Sequence, residues 1–377
     1  MKIILFYLTL LLFSCQSTTG DKTGELAAPL ARLQAGIDSL FHAKIADDEP
    51  GAAILIAVNG EALIKKGFGV RDLRTKAPIT PTTNMRLASV SKQFTALTVL
   101  SLVDQELVAL DDTVSKYLPY PAFDNVTIQH FLNHTSGIAN YDQYLNNWDQ
   151  PRIAENHDLL AWYAAENPAP EFAPGTKYEY SNAGYNLLAT LVETVSNMEF
   201  GEYARKHVFE KAGMQATNYF NLARPVDIPE RAFCYEQDSI GKWKQVDSNI
   251  LNGMVGEGAI YTSISDYLAY DRALLNKSIL SEAMHDLIFV PTSVPFVQSG
   301  REFRYGMGWL LRDTIALHAG GWYGTTTMTK RYLTVPLTLA IFTNRHDLFE
   351  SGLYGQADRL VRKYMTELGR SSLLPPR

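Results

Sequence analysis

The feature that most constrains this chain is a hydrophobic period that changes twice along its length. Residues 52–58 and 62–69 are apolar runs joined by Asn59-Gly60, a strong short-range signal for a tight hairpin. Pro78 and Pro81 then mark a crossing into a different region. From Ser89 to about Asn276 the spacing is mainly helical, with long loops between the helices. After Pro295 the period returns to two, over residues 305–311, 314–319, 325–332 and 337–343. Helical spacing brackets the whole, at Leu26, Leu30, Leu33, Ile37 and Leu40 (residues 25–45) and over residues 348–368. Strands near both ends with helices between them predict one α+β unit. Its antiparallel sheet is built from both termini, and a mainly helical insertion leaves a cleft between the two parts. The sheet part is then residues 25–80 and 296–370, and the helical part residues 81–295.

Within the helical part, helices are expected at residues 89–106, 127–133, 182–197, 200–212, 263–275 and 281–288, and a shorter one from Asp111. Residues 139–174, rich in Tyr, Asn, Trp and Pro, read as a loop. At 377 residues and 46% hydrophobic, the chain is long enough for a large core. A formal charge of −6 offers no basic footprint for nucleic acid.

The N-terminus reads as a leader. Lys2 precedes an apolar stretch over residues 3–13, too short for a bilayer span, which needs about 20 residues, but suited to a signal-peptide core. Leu12-Phe13-Ser14-Cys15 resembles a bacterial lipobox. That reading makes residues 1–14 a signal peptide, Cys15 the lipidated residue and residues 15–24 a tether. The expected location is the cell envelope, anchored by lipid; an ordinary cleaved signal is the alternative. The other cysteine, Cys234, reads as a buried or idle thiol.

Chemistry concentrates at three places. Ser89-Val90-Ser91-Lys92 opens a long apolar run. On a helix, positions i and i+3 share a face, so the lysine amine can reach the serine hydroxyl and take its proton. The spacing alone is weak. Ser239-Ile240-Gly241-Lys242 has it too, but Asp238 and Gly241 make that stretch a turn. The second place is Tyr180-Ser181-Asn182, between a Pro174-Gly175 turn and a helix. A nearby ammonium would lower a tyrosine's pKa toward use as a proton acceptor. The third is His318-Ala319-Gly320-Gly321 at a strand end, where glycines admit a substrate and a backbone N–H can hold an oxyanion.

Together these motifs resemble the serine β-lactamase and penicillin-recognising hydrolase superfamily. The nearest branch holds class C β-lactamases, D-alanyl-D-alanine carboxypeptidases, D-aminopeptidases and esterases. The resemblance extends over nearly the whole mature chain. It takes in Thr127-Ile-Gln-His-Phe-Leu-Asn-His-Thr-Ser-Gly-Ile138 and Gly256-Glu-Gly-Ala-Ile-Tyr-Thr-Ser-Ile-Ser-Asp266. It implies a β-lactamase/transpeptidase-like fold and a cofactor-free hydrolase that passes through an acyl-enzyme. By the same resemblance Ser89 is the nucleophile and Lys92 assists its deprotonation. Tyr180 is the general base, later the leaving group's proton donor, and Asn182 holds Lys92 and the substrate amide. The N–H groups of Ser89 and Gly321 form the oxyanion hole.

One departure matters. Histidine stands at position 318, where β-lactamases carry the lysine of Lys-Thr-Gly. A neutral imidazole gives weaker recognition of a substrate carboxylate, so dedicated β-lactamase activity is not expected. The expected substrate is a small molecule or peptide joined by an amide or ester, most plausibly a D-amino-acid peptide of cell-wall type. A carboxylesterase is the alternative, and a peptide-binding module without turnover is a third reading. His134 reads as ordering its own loop. Trp322 and Tyr323 are placed to narrow the acyl pocket, and residues 141–162 either pack or line the substrate site. The eight histidines show no metal spacing.

Overall fold

The computed structural model describes residues 22–375 apart from 142, 143, 145–147 and 149. Cys15, the expected leader and most of the tether lie outside the described residues. Helix α1 spans Lys22–His42, three residues earlier at each end than the periodicity predicts. Its Leu33, Ile37 and Phe41 are buried against the sheet.

The sheet has eight strands: β1 (Ala52–Val58), β2 (Glu61–Phe68), β3 (Phe296–Gln298), β4 (Arg301–Tyr305), β5 (Leu310–Arg312), β6 (Ile315–Trp322), β7 (Thr325–Tyr332) and β8 (Leu337–Thr343). Their spatial order is β3-β4-β5-β6-β7-β8-β1-β2, with every neighbouring pair antiparallel. The expected union of the two ends is therefore the β1–β8 pairing, running from Ala52 opposite Thr343 to Val58 opposite Leu337. β1 is apolar throughout because it is buried on both faces. Ala53, Leu55 and Ala57 face the helical part, and Ala52, Ile54 and Ile56 face α1 and the last helix.

The helical part contributes α2 (Lys92–Asp104), α3 (Ile128–Leu132), α4 (Asn156–Glu166), α5 (Asn182–Ser196) and α6 (Ile264–Leu275). The chain closes with α7 (Leu353–Glu367), which packs beside α1 and is tied to it by the Arg32–Glu367 ion pair. Three expectations change. The helix foreseen from Ser89 opens as a tight 3₁₀ turn, Ala88–Ser91, before α2 begins. The expected loop 139–174 contains α4, whose Leu159 and Tyr163 are buried and whose first turn is capped by Glu155 and Asp158. The sheet also gains the edge hairpin β3–β4, which Ser299-Gly300 joins with both residues at positive φ.

Candidate active site

Ser89 sits where the helical part meets the sheet. The preceding residue, Ala88, holds a left-handed φ of 47° in a buried setting. A non-glycine residue there is strained, and such strain clusters at functional sites. The turn lies hard against β6. A side chain on Gly320 would place its Cβ 2.3 Å from the Leu87 carbonyl and 3.0 Å from the Ser89 nitrogen, so only glycine fits. Thr327 on β7 fastens the same carbonyl, its hydroxyl donating to Leu87 O at 2.7 Å.

Lys92 lies one turn on and is fully buried. Its Nζ is 3.4 Å from Ser89 Oγ and donates to Asn182 Oδ1 at 2.8 Å and to the Glu257 carbonyl at 2.6 Å. The Glu257 carboxylate stands 3.6 Å away. Burial disfavours the ammonium and brings the Lys92 pKa down to about 8, although the Glu257 charge pulls upward. Glu257 is the residue that sequence reading missed. A lone acid between two glycines has no spacing that announces a partner some 165 residues away.

Tyr180 leads into α5. Ser181 is the cap, its Oγ accepting from the Gly184 N–H, which leaves the Asn182 side chain free to bridge Lys92 and the Tyr141 hydroxyl. Lys92 Nζ lies 4.9 Å from the centre of the Tyr180 ring. The residue is 36% exposed, and it lines the cleft with Ser89. Burial raises this phenol well above the ordinary tyrosine value, outweighing the lowering influence of Ser89. That reverses the expected direction. Tyr180 is a neutral phenol at neutral pH.

His318 lines the cleft with both ring nitrogens engaged. Tyr305 donates its hydroxyl to Nε2 at 2.8 Å, and Nδ1–H donates to the Ala319 carbonyl at 2.7 Å. Burial, reinforced by the Lys92 charge, pushes the ring down to about 3, so it is neutral across the working range. Gly321 contributes its backbone. Its partner in β7 is Thr326, whose N–H turns away to Thr343 Oγ1. The Gly321–Thr326 pair is thus not a hydrogen-bonded one, and the Gly321 N–H points to the opposite flank. β5 covers that flank only from Ile315 to Leu317. Beyond it the strand edge is open beside Ser89, and a Cβ on Gly321 would meet nothing within 4 Å.

A cavity of about 570 Å³ opens over Ser89, Tyr180 and His318. One wall is Tyr178 stacked on Phe296 of the edge hairpin, ring centres 3.6 Å apart, continued by Leu310. No lysine or arginine lines it among the described residues. Trp322 is turned aside, its Nε1–H donating to Asn252 Oδ1, and neither it nor Tyr323 lines this cavity. Of the aromatic loop, Tyr141 reaches the site through Asn182, while Tyr144, Trp162 and Tyr163 pack on one another. Cys234 is buried and free, with its thiol pushed up by burial. No group of three or more metal-ligating side chains occurs among the described residues.

A family model described as Beta-lactamase matches residues 37–361. The chain belongs to the beta-lactamase family. It is a serine hydrolase, as that superfamily is. Penicillin-binding protein 4* of Bacillus subtilis (strain 168) is 30% identical over 326 residues, covering 82% of this chain and 72% of that one. A D-aminopeptidase of Gluconobacter oxydans (strain 621H) is 24% identical over 310 residues, covering 78% of this chain and 55% of that protein's length. Among solved structures, a penicillin binding protein from Bacillus halodurans superposes with a TM-score of 0.71 at 25% identity, covering 88% of this chain and 98% of that one.

Proposed function

We propose that this hydrolase cleaves an amide or ester through an acyl-enzyme on Ser89. The observation that carries the reading is the desolvated Lys92 amine, with its pKa near 8, held against Ser89 Oγ and Asn182. At pH 7 about a tenth of such a lysine is neutral and able to accept the serine proton. Ser89 Oγ attacks the carbonyl carbon as its proton passes to Lys92. The neutral Tyr180 phenol, across the cleft from Ser89, relays that proton to the leaving nitrogen or oxygen. The Ser89 and Gly321 N–H groups receive the oxyanion. Water then hydrolyses the acyl-enzyme by the same route in reverse.

The favoured substrate is a D-amino-acid peptide of cell-wall type, which the penicillin-binding and D-aminopeptidase relatives support. An apolar wall without a cation favours substrates that present no free carboxylate to the cavity. We therefore favour a D-aminopeptidase-like amide hydrolase over a carboxypeptidase, with a carboxylesterase as the second reading.

Intact-mass spectrometry after a fluorophosphonate and, separately, a penicillin tests this, with Ser89→Ala alongside. An adduct lost in Ser89→Ala supports the nucleophile. Faster turnover of a p-nitrophenyl ester than of a D-amino-acid peptide would select the esterase. No adduct on folded protein would leave a peptide-binding module. Separately, we propose that Cys15 carries a lipid anchor in the cell envelope. Fatty-acid labelling lost in Cys15→Ala supports it, and labelling that persists refutes it.

A further inference from the structure

We infer that His134 is a positioning residue for the catalytic pair, holding Tyr180 and Asn182 in register with Ser89 and Lys92. The inference rests on the proposed roles of those four residues. It begins with the backbone. His134 has a φ of 59°, uncommon for a residue other than glycine, and this lets its main chain and its ring grip the same neighbouring segment. Its carbonyl accepts the Glu179 N–H at 2.9 Å, and its Nδ1 accepts the Ser181 N–H at 3.1 Å. Between these two bonds lies Tyr180, and the imidazole packs against that ring, centroids 4.3 Å apart and tilted by 36°. Three consecutive residues ending one short of Asn182 are therefore fixed by one histidine. The next residue extends the grip, since the Thr135 carbonyl accepts the Gly175 N–H at 2.8 Å.

The ring is 1% exposed and closed in by aromatics, with Tyr185 at 5.0 Å and Tyr305 at 4.5 Å. Because Nδ1 accepts, Nε2 carries the proton, and that N–H has no acceptor among the described residues. Burial and the charge of Lys92 also keep the ring neutral. It thus adds no second cation to a pocket where Lys92 already faces Glu257, Tyr180, Tyr185 and His318.

Two variants separate stacking from gripping. His134→Asn keeps an acceptor and tolerates positive φ but loses the ring. His134→Phe keeps a ring but loses the acceptor. Each is purified folded, its melting temperature recorded, and the kinetics of acylation and turnover measured on the full chain. The expected result for His134→Asn is a kcat lower by about 10–100-fold with KM within about twofold, since a misplaced proton relay costs chemistry rather than binding. Water admitted beside Lys92 should also move the rising limb of the pH–rate profile above 8.

The decisive measurement is a cycle with Tyr180→Phe. If His134 acts through Tyr180, replacing it in the Tyr180→Phe background should change kcat by less than about threefold. A purely structural role would lower the melting temperature but cost the same factor in both backgrounds. Full additivity, or wild-type kcat in folded His134→Asn, would overturn the inference. Absence of Ser89 acylation in the wild type would instead overturn the proposed function, and this inference with it.

Discussion

The chain contains Ser-x-x-Lys twice, and the two copies behave as different chemistry. In Ser89–Lys92 a 3₁₀ turn feeding α2 puts the amine 3.4 Å from the hydroxyl, with the lysine wholly excluded from water. In Ser239–Lys242 the same spacing forms the tip of a small hairpin between Tyr235–Gln237 and Trp243–Gln245. There Gly241 takes a positive φ, Asp238 Oδ1 caps the N–H groups of Ile240 and Lys242, and the Ile240 side chain is 84% exposed. Spacing brings a serine and a lysine near each other in sequence, but it is burial that lowers the Lys92 pKa to about 8. Asn182 and Glu257 then hold it at the hydroxyl.

The largest expected effect comes from breaking the first copy and sparing the second. Ser89→Ala should abolish the covalent adduct and lower hydrolysis by at least about 10³-fold. Ser239→Ala should stay near wild type, as exposed substitutions do. Equal losses would dissolve the contrast. Next, Lys92→Met fills the same buried volume without an amine and should cost about 10²–10⁴-fold in acylation rate, while Lys242→Met leaves it unchanged.

A third comparison sets neighbouring glycines against each other. Gly320→Ala must push its Cβ into the Leu87 carbonyl and should destabilise by about 1–3 kcal/mol, with activity falling. Gly321→Ala points into open space and should melt like wild type. Denaturant titration of both checks this. A smaller effect concerns pH. The neutral amine is the working form, so the rate should climb as pH rises through about 8. Glu257→Gln removes the charge that holds the Lys92 value up, so the climb should move to lower pH. An upward move would place the limb on another group.

The last effect is on stability as pH falls. His134 and His318 are held below the ordinary histidine value by burial. As pH falls below about 6.5 the unfolded chain takes up protons that the folded one refuses, so stability should decline toward pH 3. His318→Asn should flatten that decline in urea melts.

Much of this was legible before any coordinates. Asn59-Gly60, the return to period two after Pro295 and the helical spacing between them foretold a sheet joined from both ends. Ser89, Lys92 and Tyr180 do converge. What escaped was set by contacts distant in sequence. Glu257 meets Lys92 through a backbone carbonyl, a bond no pattern of side chains records. The bonds His134 makes to Glu179 and Ser181 depend on a positive φ that is invisible in the sequence. The direction of the Tyr180 shift was misjudged because a neighbouring ammonium is apparent from composition, whereas desolvation depends on packing. Helix α4 escapes notice in a stretch rich in turn formers because its buried apolar face is Leu159 and Tyr163, with Asn156 the other buried residue.

The pairing of β1 with β8 also sets when the site can exist. Ala52 waits for Thr343 to arrive, and Ser89 for Gly320 and Gly321. A chain still emerging from the ribosome carries its serine and lysine for more than half of synthesis without the strand that packs against them. Such non-local pairing makes assembly slow and late. Reactivity therefore appears only once the last strands close over the first, and an unfinished or truncated product is a hydrolase in composition only.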